Sequence, residues 1–486
     1  MKFNYQIILS FLGLLLVLNG AFMLLSLPFS FYYEEQSWVG ILISGLITIT
    51  VGVVARLSTR KNKNKDIKKR EGYLIVTLGW LCMALFGALP YVLSGSIPGF
   101  TNAFFETMSG YTTTGATIII DIEAMPKGLL FWRSLTHWIG GMGIIVLTVA
   151  ILPLLGIGGM QLFVAEAPGP THDKLHPRIT ETAKRLWLIY VILTVAELVL
   201  LMLAGMNFFD AINHAMATMA TGGFSTKNLS VAYYNDSPVI QYIIVFFMFL
   251  AGTNFTLTYF GFKGKFSKII NNEEFKTYLF LVLLLSVITS IVIFVNTDNS
   301  LEKAFRDGIF QVVSIVTTTG FVTADYTGWA EFTTILFFIL FFTGASAGST
   351  SGGIKIVRLL ILVKNSILEI KRQIHPSAVI PVRFNKRAVS QSISYNISAF
   401  ILIYIIIFFL GSLVMSLAGL DFNSSLGAVA ATLGNIGPGI GSVGPVNNFA
   451  HISLFGQWFL SFLMLLGRLE LFTVLILFSP YFWSKS

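Results

Sequence analysis

A chain of 486 residues in which 55% are hydrophobic and only 11% charged has too little polar surface for a water-soluble globular protein. Its net charge of +9 would suit nucleic-acid binding in a soluble protein, but the basic residues gather in loops between apolar runs, so the charge is a topology signal and no nucleic-acid partner is expected. The lone Cys82 excludes an intrachain disulfide and reads as a small buried hydrophobe.

Runs long enough to cross about 30 Å of hydrocarbon, near 20 residues each, predict ten spans at 7–27, 38–55, 74–93, 129–155, 186–203, 240–262, 278–295, 332–363, 393–417 and 452–482. The first has too long an apolar core for a cleaved signal peptide, and no small-x-small site follows before Pro28, so it is expected to stay as an anchor. Basic residues cluster after the second span (Arg56, Arg60, Lys61, Lys63, Lys65, Lys68, Lys69, Arg70) and after the fourth (Lys174, Arg178, Lys184, Arg185). They do so again after the sixth (Lys263, Lys265, Lys268, Lys276) and the eighth (Lys355, Arg358, Lys364, Lys371, Arg372, Arg383, Lys386, Arg387). The positive-inside rule then puts these loops and both termini in the cytoplasm. The two richest loops are also suited to anionic lipid.

Between spans three and four, five and six, seven and eight, and nine and ten lies a shorter, half-polar stretch opening near Asn102, Asp210, Glu302 or Asp421. Each leads into a variant of one motif: Thr112-Thr113-Thr114-Gly115-Ala116, Ala220-Thr221-Gly222-Gly223-Phe224, Thr317-Thr318-Thr319-Gly320-Phe321 and Gly434-Asn435-Ile436-Gly437-Pro438. Roughly a hundred residues separate the copies, too long a period for a solenoid. A short helix followed by a glycine-bearing loop at membrane depth is a pore loop, and irregular backbone is tolerated there when it lines an aqueous cavity. Backbone carbonyls replace an ion's water shell without placing a net charge in the bilayer. The negative C-terminal ends of the short helices favour a cation over an anion. The expected fold is therefore an all-α polytopic membrane protein of ten transmembrane helices and four re-entrant loops. An N-terminal helix pair with its basic loop (1–70) precedes four helix–pore-loop–helix units, at 71–165, 166–270, 271–375 and 376–486, around a central ion pore.

Two features interrupt the late spans. Gly344, Ala345, Ser346, Ala347, Gly348, Ser349, Thr350, Ser351, Gly352 and Gly353 are all small or hydroxylic, poor helix material that predicts a break in the eighth span. Small-residue helix packing is one alternative. A phosphate loop is another, but no Ser or Thr follows Lys355 and no strand precedes the run. Arg468 lies mid-way along the last span, where a charge facing lipid costs several kcal/mol, so it is expected to face protein or water. Glu470, two residues on, points to a different helix face and is expected to pair with another span or a cytoplasmic loop.

With its four motifs in register, the chain resembles the TrkH/KtrB (Trk/Ktr/HKT) superfamily of potassium transporters over essentially all of its length from Glu71 onward. The N-terminal pair and the long eighth span make it more similar to the TrkH branch. The resemblance implies one filter glycine per unit, at Gly115, Gly222, Gly320 and Gly437, with Thr113, Thr114, Thr221, Thr318, Thr319, Asn435 and Ile436 completing the filter. The transported ion, K⁺, would sit at Thr114, Gly115, Thr221, Gly222, Thr319, Gly320, Ile436 and Gly437, with passage of Rb⁺ and weak passage of Na⁺. It further implies that 344–353 is an intramembrane gate and that Arg468 projects into the path below the filter, a buried brace being the alternative. A homodimer on a cytosolic, nucleotide-binding ring of the TrkA type follows from the same resemblance, with loops 56–70 and 364–387 on the side that would receive it.

The remaining polar residues are less informative. His172 and His176 have a zinc-compatible spacing, but Pro168, Pro170 and Pro177 argue against the helix that would present them. His137, His214 and His451 read as packing histidines, with His214 placed to modulate ion access; Glu106 and Asp307 read as either outer-mouth cation attractors or solvated loop charges. No catalytic set or organic-cofactor fingerprint emerges, leaving an enzyme without a positive argument. A gated K⁺ pore in a bacterial inner membrane is the favoured function, ahead of a carrier coupling K⁺ to H⁺ or Na⁺. A non-ionic transporter would require inverted repeats, and these four share one orientation.

Overall fold

The first two apolar helices, Tyr5–Leu24 and Ser37–Ser58, approach closely through glycines. A methyl group on Gly13 would meet the Gly52 carbonyl oxygen at 2.7 Å, and one on Gly20 the Gly45 carbonyl oxygen at the same distance. In lipid no hydrophobic force drives helices together, so small residues that let backbones touch are what hold such a hairpin. The computed structural model describes residues 3–60, 69–143, 179–375 and 380–484.

Four units follow, each with a first helix, a short buried helix and a second helix, which breaks in units 2, 3 and 4. The first helices are Lys69–Gly87, Ile179–Leu203, Glu273–Asn296 and Gln391–Leu417. The short helices are Phe100–Tyr111, Phe208–Met219, Leu301–Val316 and Phe422–Gly434. In unit 1 the second helix, Lys127–Trp138, widens into a π-helical turn at Ile139–Gly143. In unit 2, Pro238–Gly252 and Phe255–Phe262 meet at 110°, and in unit 4 Leu454–Arg468 and Phe472–Phe478 do the same. In unit 3, Glu331–Leu340 and Ile356–Ile374 are separated by the small-residue run, so the predicted break is present.

Among the described residues six helices are long and apolar enough to span a membrane, or up to eight if each bent pair is one span. The predicted fourth span has its second half outside the described residues, and the eighth is divided by its break. The chain is thus a multi-pass membrane protein.

Three of the short helices have side-chain N-caps: Asn207 accepts from Asp210 N–H, Ser300 from Lys303 N–H and Asp421 from Ser424 N–H. Sequence placed these starts correctly at Asp421 and up to three residues late elsewhere. Capping satisfies donors that would otherwise be orphaned. Unit 1 is braced differently. Glu106 on its short helix pairs with Arg133 on its second helix at 2.7 Å, with both side chains almost fully buried. Glu106 also accepts from Thr117 Oγ1 and Ile118 N–H at 2.9 Å, which ties down the segment leaving the motif.

Removing one member of such a pair leaves an uncompensated buried charge. Arg133→Met is therefore expected to destabilise the protein by about 3 to 5 kcal/mol. The check is the thermal unfolding midpoint in detergent, which should fall far more than for Arg372→Met, whose pair with Glu369 is partly exposed.

Candidate pore site

Each short helix ends in the same backbone device. Thr114 N–H reaches back to Ser109 O, Gly222 N–H to Ala217 O, Thr319 N–H to Ser314 O and Ile436 N–H to Ala431 O, all at 2.8 to 2.9 Å. One residue earlier, Thr113, Thr221, Thr318 and Asn435 donate to Gly110, Thr218, Ile315 and Thr432 carbonyls. This pairing is a Schellman motif, which requires a left-handed residue where the helix stops. Thr113 (φ 50°), Thr221 (53°), Thr318 (56°) and Asn435 (54°) occupy that conformation. Asn tolerates it; for a β-branched Thr it is strained, by about 1 to 3 kcal/mol each.

Two residues further on, Gly115, Gly223, Gly320 and Gly437 again have positive φ, between 77° and 97°. Their surroundings close a ring. A side chain on Gly115 would strike the Gly222 carbonyl oxygen, one on Gly223 the Thr319 oxygen, one on Gly320 the Ile436 oxygen, and one on Gly437 the Thr114 oxygen at 2.8 Å. Each unit thus lays the carbonyl of one residue against the glycine of the unit before it, and the fourth returns to the first. In unit 2 the residue equivalent to Gly115, Gly320 and Gly437 is Gly223. Gly222, expected from sequence in that role, stands one position earlier, beside Thr114, Thr319 and Ile436, and contributes the facing carbonyl.

Side chains distinguish the units. Thr112 and Thr114 hydroxyls pair at 2.8 Å, and Thr317 and Thr319 hydroxyls at 2.7 Å. The other two units lack both hydroxyls. Asn435 instead links unit 4 to unit 1, donating from Nδ2 to Thr114 Oγ1 at 3.0 Å and to Met464 O at 2.9 Å.

The run 344–353 packs against the helix-proximal end of this ring. Its neck is pinched by Gly344 N–H to Ile354 O (2.8 Å) and Ile356 N–H to Ala345 O (3.2 Å). Ser346 N–H bonds Gly252 O and Gly348 O accepts from Phe255 N–H, filling the break in unit 2. Ala347 N–H donates to Glu274 Oε1 at 2.7 Å, and Thr350 Oγ1 donates to Met219 O at 3.0 Å. Gly352 N–H donates to Thr318 Oγ1 at 2.7 Å. Arg468 completes the junction: Nη1 donates to Thr350 O at 2.7 Å, and Nη2 to Gly140 O at 2.5 Å and Gly141 O at 2.8 Å. As expected it faces protein, but its partners are carbonyls of units 1 and 3. Glu470 pairs elsewhere, with Arg358.

Other candidates resolve plainly. Glu106 is neither an outer-mouth attractor nor a solvated charge, being buried on Arg133. Asp307 is equally buried, 3.6 Å from Lys303 Nζ. His214 is a satisfied packing residue between Asp210 O (2.7 Å) and Ser225 Oγ (2.9 Å), and His451 meets Ser442 Oγ on the exposed side. His172 and His176 lie outside the described residues. Among the described residues no cluster of His, Cys, Asp or Glu could hold a metal ion. Sequence reasoning passed over Glu274, which looks like an ordinary acidic first-turn residue, and Glu197. The Glu197 carboxylate is fully buried within a span, beside the Thr218 hydroxyl of the short helix.

Four pore loops closing one ring of backbone carbonyls define a pore-loop membrane protein. The profile of the TrkH family, described as a cation transport protein, matches residues 39–485, and the chain belongs to that family. It is 42% identical over 487 residues to the Trk system potassium uptake protein TrkH of Salmonella typhimurium, covering 99% of this chain and 100% of the relative. Identity to the Trk system potassium uptake protein TrkG of Escherichia coli K12 is 35%, over 99% of both chains. The crystal structure of the potassium transporter TrkH from Vibrio parahaemolyticus superposes with a TM-score of 0.89 at 38% identity, covering 99% of this chain and 100% of that one.

The left-handed conformation and the side-chain bonds of Asn435 separate by substitution. Asn435→Ala loses both and is expected to cost about 2 to 3 kcal/mol, whereas Asn435→Gly keeps the conformation and costs roughly half as much. Unfolding midpoints of the two variants, compared with the parent, provide the check.

Proposed function

We propose that this chain is a potassium uptake protein of a bacterial inner membrane, with both termini cytoplasmic, through which K⁺ moves inward along its electrochemical gradient. The observation that carries this is the closed ring formed by Thr114, Gly222, Thr319 and Ile436 carbonyls against Gly115, Gly223, Gly320 and Gly437. Carbonyl dipoles at such a constriction substitute for a cation's hydration shell. One positive-φ glycine per unit and unequal side chains make the ring less constrained than a symmetric filter, consistent with passage of Rb⁺ beside K⁺ and weak passage of Na⁺. The units would be those read from sequence, 71–165, 166–270, 271–375 and 376–486, following the helix pair at 1–70. Potassium is then the cargo, and the chain needs no enzymatic chemistry.

In this reading 344–353 is the gate and Arg468 its latch. The loop is held by bonds to units 2 and 3 and, through the guanidinium, to units 1 and 4, so it must break them to move. A fixed positive charge beside the path also keeps a cation from resting there. Homodimers and a cytosolic nucleotide-binding ring of the TrkA type would supply metabolic control. Support for ring docking comes from the exposed basic hairpin of Arg383–Phe384 with Arg387–Ala388, anchored where Glu273 N–H donates to Asn385 Oδ1 at 2.9 Å. A coupled K⁺ carrier is the second reading, favoured by Glu197, since a carboxyl buried in a span is the kind of group that carries protons. A reversal potential that follows K⁺ alone decides for the pore.

In K⁺-loaded proteoliposomes, uptake of radioactive Rb⁺ should be inhibited by external K⁺ and poorly by Na⁺ or Li⁺; inhibition by all three alike would overturn the filter. Shortening 344–353, or Arg468→Gln, should raise the flux by roughly tenfold if closure is worth about 1.4 kcal/mol. Unchanged flux in a well-expressed loop deletion would remove the gate.

A further inference from the structure

Unit 2 carries two consecutive glycines where each of the others carries one. Gly223 answers to conformation, with φ 77°. Gly222 does not, since it has no positive φ; what it answers to is the imidazole of His137. A methyl group at position 222 would lie 2.5 Å from His137 Cγ and 2.6 Å from Cε1, and nearer still to Nδ1. Real Cβ atoms do not approach a ring so closely, and a fully buried imidazole in a packed interior has no free direction in which to retreat.

The ring is held there from several sides. It stacks on Phe224, centroids 3.9 Å apart and planes 13° apart, and its Nδ1 lies 3.5 Å from Phe224 N–H. The Arg133 guanidinium carbon lies 3.4 Å from the same Phe224 centroid. Two planar groups that close to one centroid occupy opposite faces, so Phe224 is clamped between residues four apart on one helix, a spacing that puts both on one side. Arg133 is itself fixed by Glu106 at 2.7 Å and by donation to Ser225 O at 3.0 Å. Thr114, Thr319 and Ile436, at the positions equivalent to Gly222, all carry side chains. In unit 2, where no side chain is present, the His137 ring from the preceding unit takes that space.

We propose that His137 is a positioning residue for the second filter segment: its ring sets where the Gly222 carbonyl stands against Gly115, and thereby sets discrimination of K⁺ from Na⁺. This rests on the ring being the ion filter. A small shift of one carbonyl among four changes the fit to a dehydrated ion without opening the pore. A histidine that only filled the core would affect stability and leave selectivity alone.

Three variants, assayed for Rb⁺ uptake into K⁺-loaded proteoliposomes with K⁺ and Na⁺ as competitors, test it. His137→Ala should retain uptake while the ratio of Na⁺ to K⁺ inhibition constants falls by about tenfold, and Gly222→Ala should lose at least about tenfold in uptake. The double variant should recover to within about threefold of His137→Ala, because removing the ring makes room for the methyl group; neighbours in contact couple in this non-additive way. An unchanged inhibition ratio in His137→Ala, or a double variant no better than Gly222→Ala, overturns the proposal. If His137→Ala does not reach the membrane, His137→Asn carries the ratio measurement under the same criteria. Failure of the unsubstituted protein to prefer K⁺ would instead overturn the filter itself, and the two failures are distinguished in one experiment.

Discussion

A backbone that leaves the helix inside a membrane must find its hydrogen bonds in protein, because hydrocarbon offers none. Among the described residues the chain leaves the helix after the short helix in every unit, and again within the second span in units 2, 3 and 4, where unit 1 widens into a π-helical turn. The Schellman turns at Ser109–Thr114, Ala217–Gly222, Ser314–Thr319 and Ala431–Ile436 meet the first demand locally. The second is met by exchange between units. Gly252 O and Phe255 N–H, freed by the bend in unit 2, are taken up by Ser346 and Gly348 of unit 3, while Gly140 and Gly141 carbonyls of unit 1 are taken up by Arg468 of unit 4. The loop and the arginine therefore complete other units' helices, and any movement of either exposes those groups again.

The left-handed stop explains the composition of the motif. Glycine would adopt it without strain, yet Thr113, Thr221 and Thr318 occupy it, and the hydroxyls of Thr221 and Thr318 find separate uses. Thr318 Oγ1 accepts the amide of Gly352, and Thr221 Oγ1 donates to Ala220 O at 2.6 Å. Asn435 suits the conformation and spends its amide on unit 1. Units 1 and 3, which lie across the ring from each other, share the threonine triplet and its hydroxyl pair; units 2 and 4 share neither. The fourfold backbone thus carries a closer-to-twofold arrangement of side chains.

Much of this was legible in the sequence, because it follows from length and local composition. Span-length apolar runs, the half-polar stretch before each motif and the run of small residues at 344–353 each state a physical constraint over consecutive residues. Arg468 was legible in its orientation, since lipid excludes the charge, and Glu470 in its pairing elsewhere, since helix geometry separates the two. The register of unit 2 was not. Two adjacent glycines look alike in sequence, and only the His137 ring, 85 positions before Gly222, tells which answers to φ and which to close approach. Glu106 and Asp307 were misjudged for a related reason: their partners and their burial are set by packing. In Glu106 the decisive neighbour, Arg133, belongs to a different helix.

Symmetry breaking is where this molecule departs from a simple four-unit ring, and its instances are not scattered. The charged brace of Glu106 and Arg133 and the His137 ring reach from unit 1 to the segment that follows the short helix of unit 2, at Ser225 and Phe224. The loop 344–353 belongs to unit 3 and fills the break of unit 2, and Arg468 belongs to unit 4 and holds the loop to unit 1. The loop and the guanidinium, drawn from different units, are bonded to the others through backbone groups that the breaks leave free. Among the described residues the left-handed stops and the positive-φ glycines after them repeat in all four units, whereas the Arg468 guanidinium, the His137 ring and the run 344–353 each serve from a single unit.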